Sequence, residues 1–326
     1  MKQRVAIVGA GVSGLTCAVL FAENGFETAI LAEQLGDETN SAAAAAMWYP
    51  YDVGASGKII RWALHSCERF LELARRPETG VSVTELRVFS RLGPISPPAW
   101  AQSFPTRSLE ERDIPVAFAG GFSINVPLIE TGKYLAFLAS RLENAGGSIR
   151  GGRRFHNLEE IDRQFDLVVN CAGIGARELV PDPRMEPHRG QVAIVEKFDL
   201  PFAVVCDDPP LMYAIPRSND CVLGGTNDVS DDRLVDPATT ARIIGECENV
   251  LGRSVPPLVR ARVGLRPGRT GSVRLAAEKL RDGRTVIHNY GHGGSGFTLS
   301  GGCAETALEH VVAGTGVVAG IGDPGI

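Results

Sequence analysis

The run Gly9-Ala10-Gly11-Val12-Ser13-Gly14, set directly after the apolar stretch Val5-Ala6-Ile7-Val8, limits the fold of this chain more than any other feature. The apolar stretch predicts a short buried strand. An amphipathic helix is predicted from about Ser13 to Asn24, with Gly25 placed to cap it, and a second strand over Glu27–Leu31 leads to Glu33. Strand, glycine turn, helix, strand and terminal acid together form the dinucleotide fingerprint in its full context. There the first glycine makes the turn, the second admits a pyrophosphate and the third lets helix and strand pack. Glu33 can accept hydrogen bonds from an adenosine ribose. A nucleotide-binding half of the α/β class follows.

A second glycine-lined junction lies near the other end, at His288-Asn289-Tyr290-Gly291-His292-Gly293-Gly294-Ser295-Gly296-Phe297-Thr298-Leu299-Ser300-Gly301-Gly302. Val286-Ile287 reads as a strand end and Cys303 to Val312 has helical spacing, so a helix opening near Ser300–Ala304 is expected. Such a junction lets backbone approach a flat ligand and aims a helix N-terminus at it.

Bulk properties exclude several classes. With 326 residues, 44% hydrophobic, the chain has ample core for one large or two interleaved domains. A net charge of −5 gives no reason to expect nucleic acid or an anionic membrane as partner. Val5–Val8 is too short for a signal-peptide core or a membrane span. The seven cysteines, without a CxxC, read as free thiols in a reducing compartment, and no pair has metal-ligand spacing. The end Gly322-Asp323-Pro324-Gly325-Ile326 carries no peroxisomal Ser-Lys-Leu signal. The expectation is a cytoplasmic protein without a metal; a homodimer stays open.

Between the two glycine-rich ends, Ala42–Ala46 reads either as the start of an alanine-rich helix or as small side chains that let backbone lie against a cofactor. Helices are predicted over Lys58 to about Arg75, Thr131–Asn144 and Ala238–Leu251. Phe165 to Gly173 reads as a buried parallel strand returning to the nucleotide sheet. Antiparallel signals follow at Gln191–Glu196 and at Leu211–Arg217 paired with Cys221–Thr226. The expected architecture is thus α/β: a discontinuous, Rossmann-like nucleotide-binding domain (1–75, 131–180 and 282–326) with an inserted, mostly antiparallel β substrate domain (76–130 and 181–281).

With these pieces in place the chain resembles the D-amino-acid oxidase family of flavoproteins. The resemblance rests on Gly9–Gly14, Ala45-Ala46-Met47-Trp48-Tyr49-Pro50-Tyr51, Val169-Asn170-Cys171-Ala172-Gly173, Tyr213-Ala214-Ile215-Pro216, Gly264-Leu265-Arg266-Pro267 and His288–Thr298. It implies non-covalent FAD, held by Gly9, Ala10, Gly11, Val12, Ser13, Gly14, Glu33, Asn40, Ser41, Ala45, Ala46, Met47, Cys171, Ala172, Gly173, Gly293, Gly294, Ser295, Gly296, Phe297 and Thr298. It also implies a D-amino acid and molecular oxygen as partners. Arg266 would bind the substrate carboxylate with help from the Tyr213 hydroxyl, and the Gly294 carbonyl would accept from the amine. The chain departs from animal members in three places. Cys206–Met212 is too short to supply their second, lid-borne tyrosine, Tyr49 stands where they have glutamine, and Ser295 where they often have tyrosine.

The implied chemistry needs no side-chain acid or base, since removal of hydride from Cα is the cofactor's work. His288 and His292 are therefore expected to be structural. A planar guanidinium suits a carboxylate because it forms two parallel hydrogen bonds. Met47, Tyr49 and Ile215 are expected to face the substrate side chain and to offer no fixed cation. The expected reaction is oxidative deamination of neutral D-amino acids to 2-oxo acids, ammonia and hydrogen peroxide. Alternatives are a D-aspartate or D-glutamate oxidase, for which Arg217 could supply a cation, a glycine or sarcosine oxidase, and a non-catalytic dinucleotide-binding protein.

Overall fold

The computed structural model describes residues 2–51, 54 and 56–315; residues 1, 52, 53, 55 and 316–326 of the expected nucleotide-binding domain, with the Gly322–Ile326 end, lie outside the described residues. Among the described residues two sheets organise the chain. The first has six strands, in the order Arg274–Lys279, Thr285–Tyr290, Leu167–Asn170, Arg4–Val8, Glu27–Leu31 and Ser148–Arg150. All its neighbours run parallel except the edge strand Arg274–Lys279.

Val5, Ala6 and Ile7 are fully buried because helices and loops cover both faces of this sheet, as a parallel sheet requires. The helix Val12–Glu23 lies almost wholly inside, packed against Gly296–Thr315 and Thr131–Asn144. It ends as expected, with Gly25 in the left-handed region at φ 88°. The chain leaves the central strand Arg4–Val8 toward one side of the sheet and returns on the other through Leu167–Asn170. That reversal opens a crevice at the strand C-termini, where ligands of open α/β sheets bind.

The second sheet has nine strands and is mostly antiparallel. Met185–Glu196 pairs with both Asp220–Gly224 and Leu258–Arg269. The sheet continues through Met212–Pro216, Ala203–Cys206, Val81–Ser90 and Gly120–Ile129. The hairpin foreseen at residues 211–226 forms, with Tyr213 opposite Gly224. Helix Gly57–Leu73 bears a strong apolar stripe, begins at Ser56, whose hydroxyl caps the Ile59 amide at 3.4 Å, and buries Trp62, Ala63, Cys67 and Phe70.

Two expectations need correction. Arg274–Lys279 hydrogen-bonds along Thr285–Tyr290, so the boundary placed between residues 281 and 282 cuts through the first sheet rather than separating two. The last helix opens at Gly296, not near Ser300–Ala304. Glycine is a poor helix former, and Gly301-Gly302 reads as loop on propensity. Packing overrides it: a Cβ on Gly302 would lie 2.5 Å from the Trp62 Cα, so only glycine lets these two helices approach so closely. The strand Leu258–Arg269 is not among the expected ones, and it carries Pro267, a residue that is confined to strand edges. It pairs on one side only, where proline is tolerated.

Candidate active site

A cavity of about 610 Å³ runs from the crevice of the first sheet to the face of the second. At its nucleotide end Gly9 has φ 105°, and a Cβ there would meet the Cys171 carbonyl oxygen at 2.5 Å. A Cβ on Gly11 would fall 2.9 Å from the Ser41 hydroxyl, which accepts from the Val12 amide at 2.9 Å. Gly14, also expected to hold the cofactor, does not line the cavity; a Cβ there would strike the Gly9 carbonyl, so its place is in helix packing. The bare backbone this leaves at Gly9–Ser13, at a helix N-terminus, is the cradle a pyrophosphate requires. The residues present therefore fit FAD at this end.

Glu33 lines the same end with a carboxylate half-exposed and paired to Arg154 at 3.3 Å. Of the other expected cofactor residues, Asn40, Ser41, Ala45, Ala46, Met47, Cys171, Ala172, Gly173, Gly293, Gly294, Gly296, Phe297 and Thr298 line the cavity. Thr39–Ala43 forms a short capped turn rather than an α-helix. Ala43–Ala46 present small side chains to the cavity. Asn40 spends its amide on the Leu265 backbone, donating to the carbonyl at 2.9 Å and accepting from the amide at 3.1 Å. It thereby ties the turn to the strand bearing Arg266.

Ser295 needs correction as a cofactor residue. It is buried, does not line the cavity, and its hydroxyl accepts from the Tyr51 amide at 2.8 Å and donates to the Tyr51 carbonyl at 2.6 Å. Thr298 does the same for Tyr49, at 3.2 and 3.0 Å. These two clamps hold the Tyr49–Tyr51 segment against the start of the last helix.

Arg266, Tyr213, Gly294, Met47, Tyr49 and Ile215 line the same cavity. Arg266 Nη1 donates to the Thr226 carbonyl at 2.8 Å and to Asn227 Oδ1 at 3.1 Å. No carboxylate pairs with it among the described residues, and Nε and Nη2 are engaged by neither of those acceptors. The Tyr213 hydroxyl lies beside the guanidinium; burial pushes its pKa up and Arg266 opposes the shift. The tyrosine ring fits because residues 224 and 225 are glycines: a Cβ on Gly225 would meet the hydroxyl at 3.0 Å, and one on Gly224 would overlap the ring.

Sequence reasoning missed Tyr51 and Asp207. The Tyr51 ring covers Gly294, whose Cβ would be 2.5 Å from it, and lies 5.9 Å from the Arg266 guanidinium. Its place two residues beyond Tyr49 was the available signal. The Tyr49 hydroxyl donates to Asp207 Oδ2 at 2.6 Å. Burial raises the tyrosine's pKa far above its ordinary value, and the adjacent carboxylate adds to the shift. No pattern marked Asp207. Arg217, the cation considered for acidic substrates, lies elsewhere, held by both carboxylate oxygens of Asp220 at 2.6 and 2.8 Å.

His288 and His292 are both buried, and His292 lines the cavity. Burial pushes His292 down to about 4, with Nε2 3.0 Å from Asn289 Oδ1. His288 falls to about 4 through burial and the nearby Arg274 charge. Both are neutral near pH 7. No group of acids, cysteines and histidines among the described residues could hold a metal ion.

Comparison with known proteins agrees with this geometry. Residues 4–309 match the family model described as DAO, FAD dependent oxidoreductase. A D-amino-acid oxidase of Rubrobacter xylanophilus is 40% identical over 93% of this chain and 94% of its own. A D-aspartate oxidase of Homo sapiens is 32% identical over 94% of this chain and 93% of its own. Among solved structures, a glycine oxidase from Geobacillus kaustophilus superposes with a TM-score of 0.80 at 19% identity, over 96% of this chain and 95% of that one.

Proposed function

The chain belongs to the DAO family of FAD-dependent oxidoreductases, and from that premise we propose that it prefers neutral over acidic D-amino acids. It is an enzyme that deaminates D-amino acids oxidatively, forming 2-oxo acid, ammonia and hydrogen peroxide with molecular oxygen as the other substrate. FAD, when bound, supplies the acceptor for the two electrons and the hydrogen removed from the substrate. In this reading the first sheet holds the cofactor, without a covalent bond, and the second holds the substrate.

One observation carries the reading: Arg266 is a guanidinium in the cavity wall that no carboxylate of the protein neutralises among the described residues. With Nη1 occupied by Thr226 and Asn227, Nε and Nη2 form the edge that takes a substrate carboxylate with two parallel hydrogen bonds. The Tyr213 hydroxyl adds a third donor, and the Gly294 carbonyl accepts from the amine. Fixing both groups sets the direction of the Cα–H bond, and orientation of this kind contributes up to about 7–11 kcal/mol to lowering a barrier. Tyr51 packs on Gly294, with its ring 5.9 Å from the Arg266 guanidinium. His292, neutral and bonded to Asn289, moves no proton here.

The side-chain wall of Met47, Tyr49, Ile215, Val205 and Leu211 contains no cation. An acidic side chain would enter unpaired and near Asp207, and an uncompensated charge in such a site costs several kcal/mol. Initial-rate oxygen uptake over D- and L-amino acids tests the proposal. Neutral D-amino acids should exceed D-aspartate and D-glutamate by at least about tenfold in kcat/KM, or about 1.4 kcal/mol, with L-enantiomers inert. A preference for D-aspartate, or turnover confined to glycine and sarcosine, would refute it. A cytoplasmic location belongs to the same proposal, supported by seven cysteines that are all free and buried. No described helix is long and apolar enough to cross a membrane.

A further inference from the structure

We propose that Asp207 is a specificity residue, forming a subsite that makes the enzyme favour a substrate side chain ending in a guanidinium or ammonium over a neutral one of the same shape. The inference rests on the functional reading above and deepens it.

Asp207 belongs to the short segment joining strands Ala203–Cys206 and Met212–Pro216, and its side chain is exposed to the cavity. One carboxylate oxygen accepts from the Tyr49 hydroxyl at 2.6 Å. The other has no partner among the described residues, although a carboxylate can accept about four hydrogen bonds. No lysine, arginine or histidine of the described chain pairs with it. Arg91 is a basic group bonded to this segment, and it is committed elsewhere. Its guanidinium binds the Asp208 carbonyl at 2.8 Å, the Pro210 carbonyl at 3.0 Å and the Glu246 carboxylate at 2.6 Å. Asp208 is committed too, accepting from the Ser90 hydroxyl and the Arg91 amide at 2.7 and 2.8 Å. Asp207 is thus the one acid of this pair left to the cavity, on a segment that Arg91 holds in place.

Crowding by the surrounding chain and the charge of Asp208 both disfavour ionised Asp207, and the Tyr49 hydrogen bond favours it. A cation brought by a ligand would relieve that imbalance.

The position suits a long side chain. Tyr51 sits by Arg266 and Gly294, where the carboxylate and amine bind, and Tyr49 precedes it by two residues. Met47, Tyr49 and Tyr51 face the cavity while Trp48 points away, its Nε1 donating to the Ala63 carbonyl at 2.8 Å. Asp207, Arg266 and Gly294 line the same cavity, so one bound amino acid can face both the anchor and the acid. The Tyr49 ring, held edge-on by Trp100 with centroids 5.5 Å apart, carries the hydrogen bond to Asp207 at its far end. The methylenes of the substrate would lie along Leu211 and Ile215, with the cationic head at the carboxylate.

The test compares D-arginine with D-citrulline, which has nearly the same shape and no charge, in the holoenzyme and in its Asp207→Asn variant. We expect kcat/KM for D-arginine to exceed that for D-citrulline by about tenfold in the wild type, mainly through KM, and the ratio to fall to about threefold or less in the variant. The wild-type ratio is informative whether or not the variant folds. A wild-type ratio of one or below, or a ratio that Asp207→Asn leaves intact, overturns the inference while leaving oxidation of neutral D-amino acids standing. Absence of turnover on every D-amino acid would overturn both.

Discussion

A Cβ on Gly190 would stand 2.5 Å from Arg266 Nη1 and 2.7 Å from its Cζ and Nη2, so the guanidinium occupies the space that a side chain at residue 190 would take. The two residues lie on paired strands, where Gly190 opposes Gly264 and Arg266 opposes His188. Gly190→Ala should therefore push the fork out of register with the substrate carboxylate. The displaced atoms are the end of a flexible side chain, so fold and bound flavin should survive. We expect kcat/KM for neutral D-amino acids to fall at least about tenfold, or about 1.4 kcal/mol. Stopped-flow reduction of the bound flavin would show it, and normal kinetics would mean that the guanidinium position is not critical.

Arg266 itself should resist conservative replacement. Lysine offers a point charge on a flexible stem and cannot reproduce two parallel hydrogen bonds. Arg266→Lys and Arg266→Leu should both lose most turnover on D-amino acids while retaining the oxidised-flavin spectrum. Near-normal kcat/KM in the lysine variant would remove Arg266 from the anchor.

At the opposite end of the cavity, Glu33 is the test of the nucleotide reading. Its pair with Arg154 at 3.3 Å is between half-exposed groups and contributes little to stability. Losing a charge-assisted hydrogen bond to ribose should cost about 1.5–3 kcal/mol, one to two orders of magnitude in FAD affinity. Titration of apoprotein with FAD, followed by flavin fluorescence, measures this for Glu33→Ala; unchanged affinity would refute the assignment.

What was legible in the sequence was what local sterics dictate. Gly9 has to be glycine because its φ of 105° and the neighbouring Cys171 carbonyl leave no room for a side chain. Such constraints show as spacing within a short run, and the strand, turn and helix at residues 4–23 followed from them. The relationships that shape the substrate end connect distant segments. Tyr49 and Asp207 meet across 158 residues, and Gly190 yields space to an arginine on another strand. Nothing in Arg189-Gly190-Gln191 or Cys206-Asp207-Asp208 marks either as functional before the sheet is assembled. Arg266 was legible only through resemblance, since its strand alternates arginines in a way that equally suits a solvated edge.

Asp182 joins the two sheets, and its loss should show as instability. Burial favours its neutral form, yet Arg269, the Arg184 amide and the Tyr290 hydroxyl hold its pKa well below the usual carboxylate range. Arg269 comes from the second sheet and Tyr290 from the first, at 2.8 and 3.0 Å from the carboxylate. Asp182→Asn would leave a buried guanidinium uncompensated, at a cost of about 3–5 kcal/mol. Urea unfolding of holoenzyme should show a lower midpoint, and an unchanged midpoint would mean that the bridge does not hold the sheets together.

The buried histidines predict how stability depends on pH. His292 and His288 have folded-state pKa values of about 4, against an ordinary value near 6.5. Above about pH 6.5 both are neutral whether the chain is folded or not, and they add no pH dependence. Between about 6.5 and 4 the unfolded chain binds protons that the folded one refuses, so stability falls as pH falls. Each histidine contributes a slope of up to about 1.4 kcal/mol per pH unit in that window. Below about 4 the folded state takes up the protons too and the slope vanishes. His292→Gln can retain a donor toward Asn289 while removing the titration, so the acid-side slope should become shallower by close to one proton. The measurement is the unfolding free energy of holoenzyme from urea titrations across that window. Parallel curves for wild type and variant would show that His292 does not resist protonation in the folded protein.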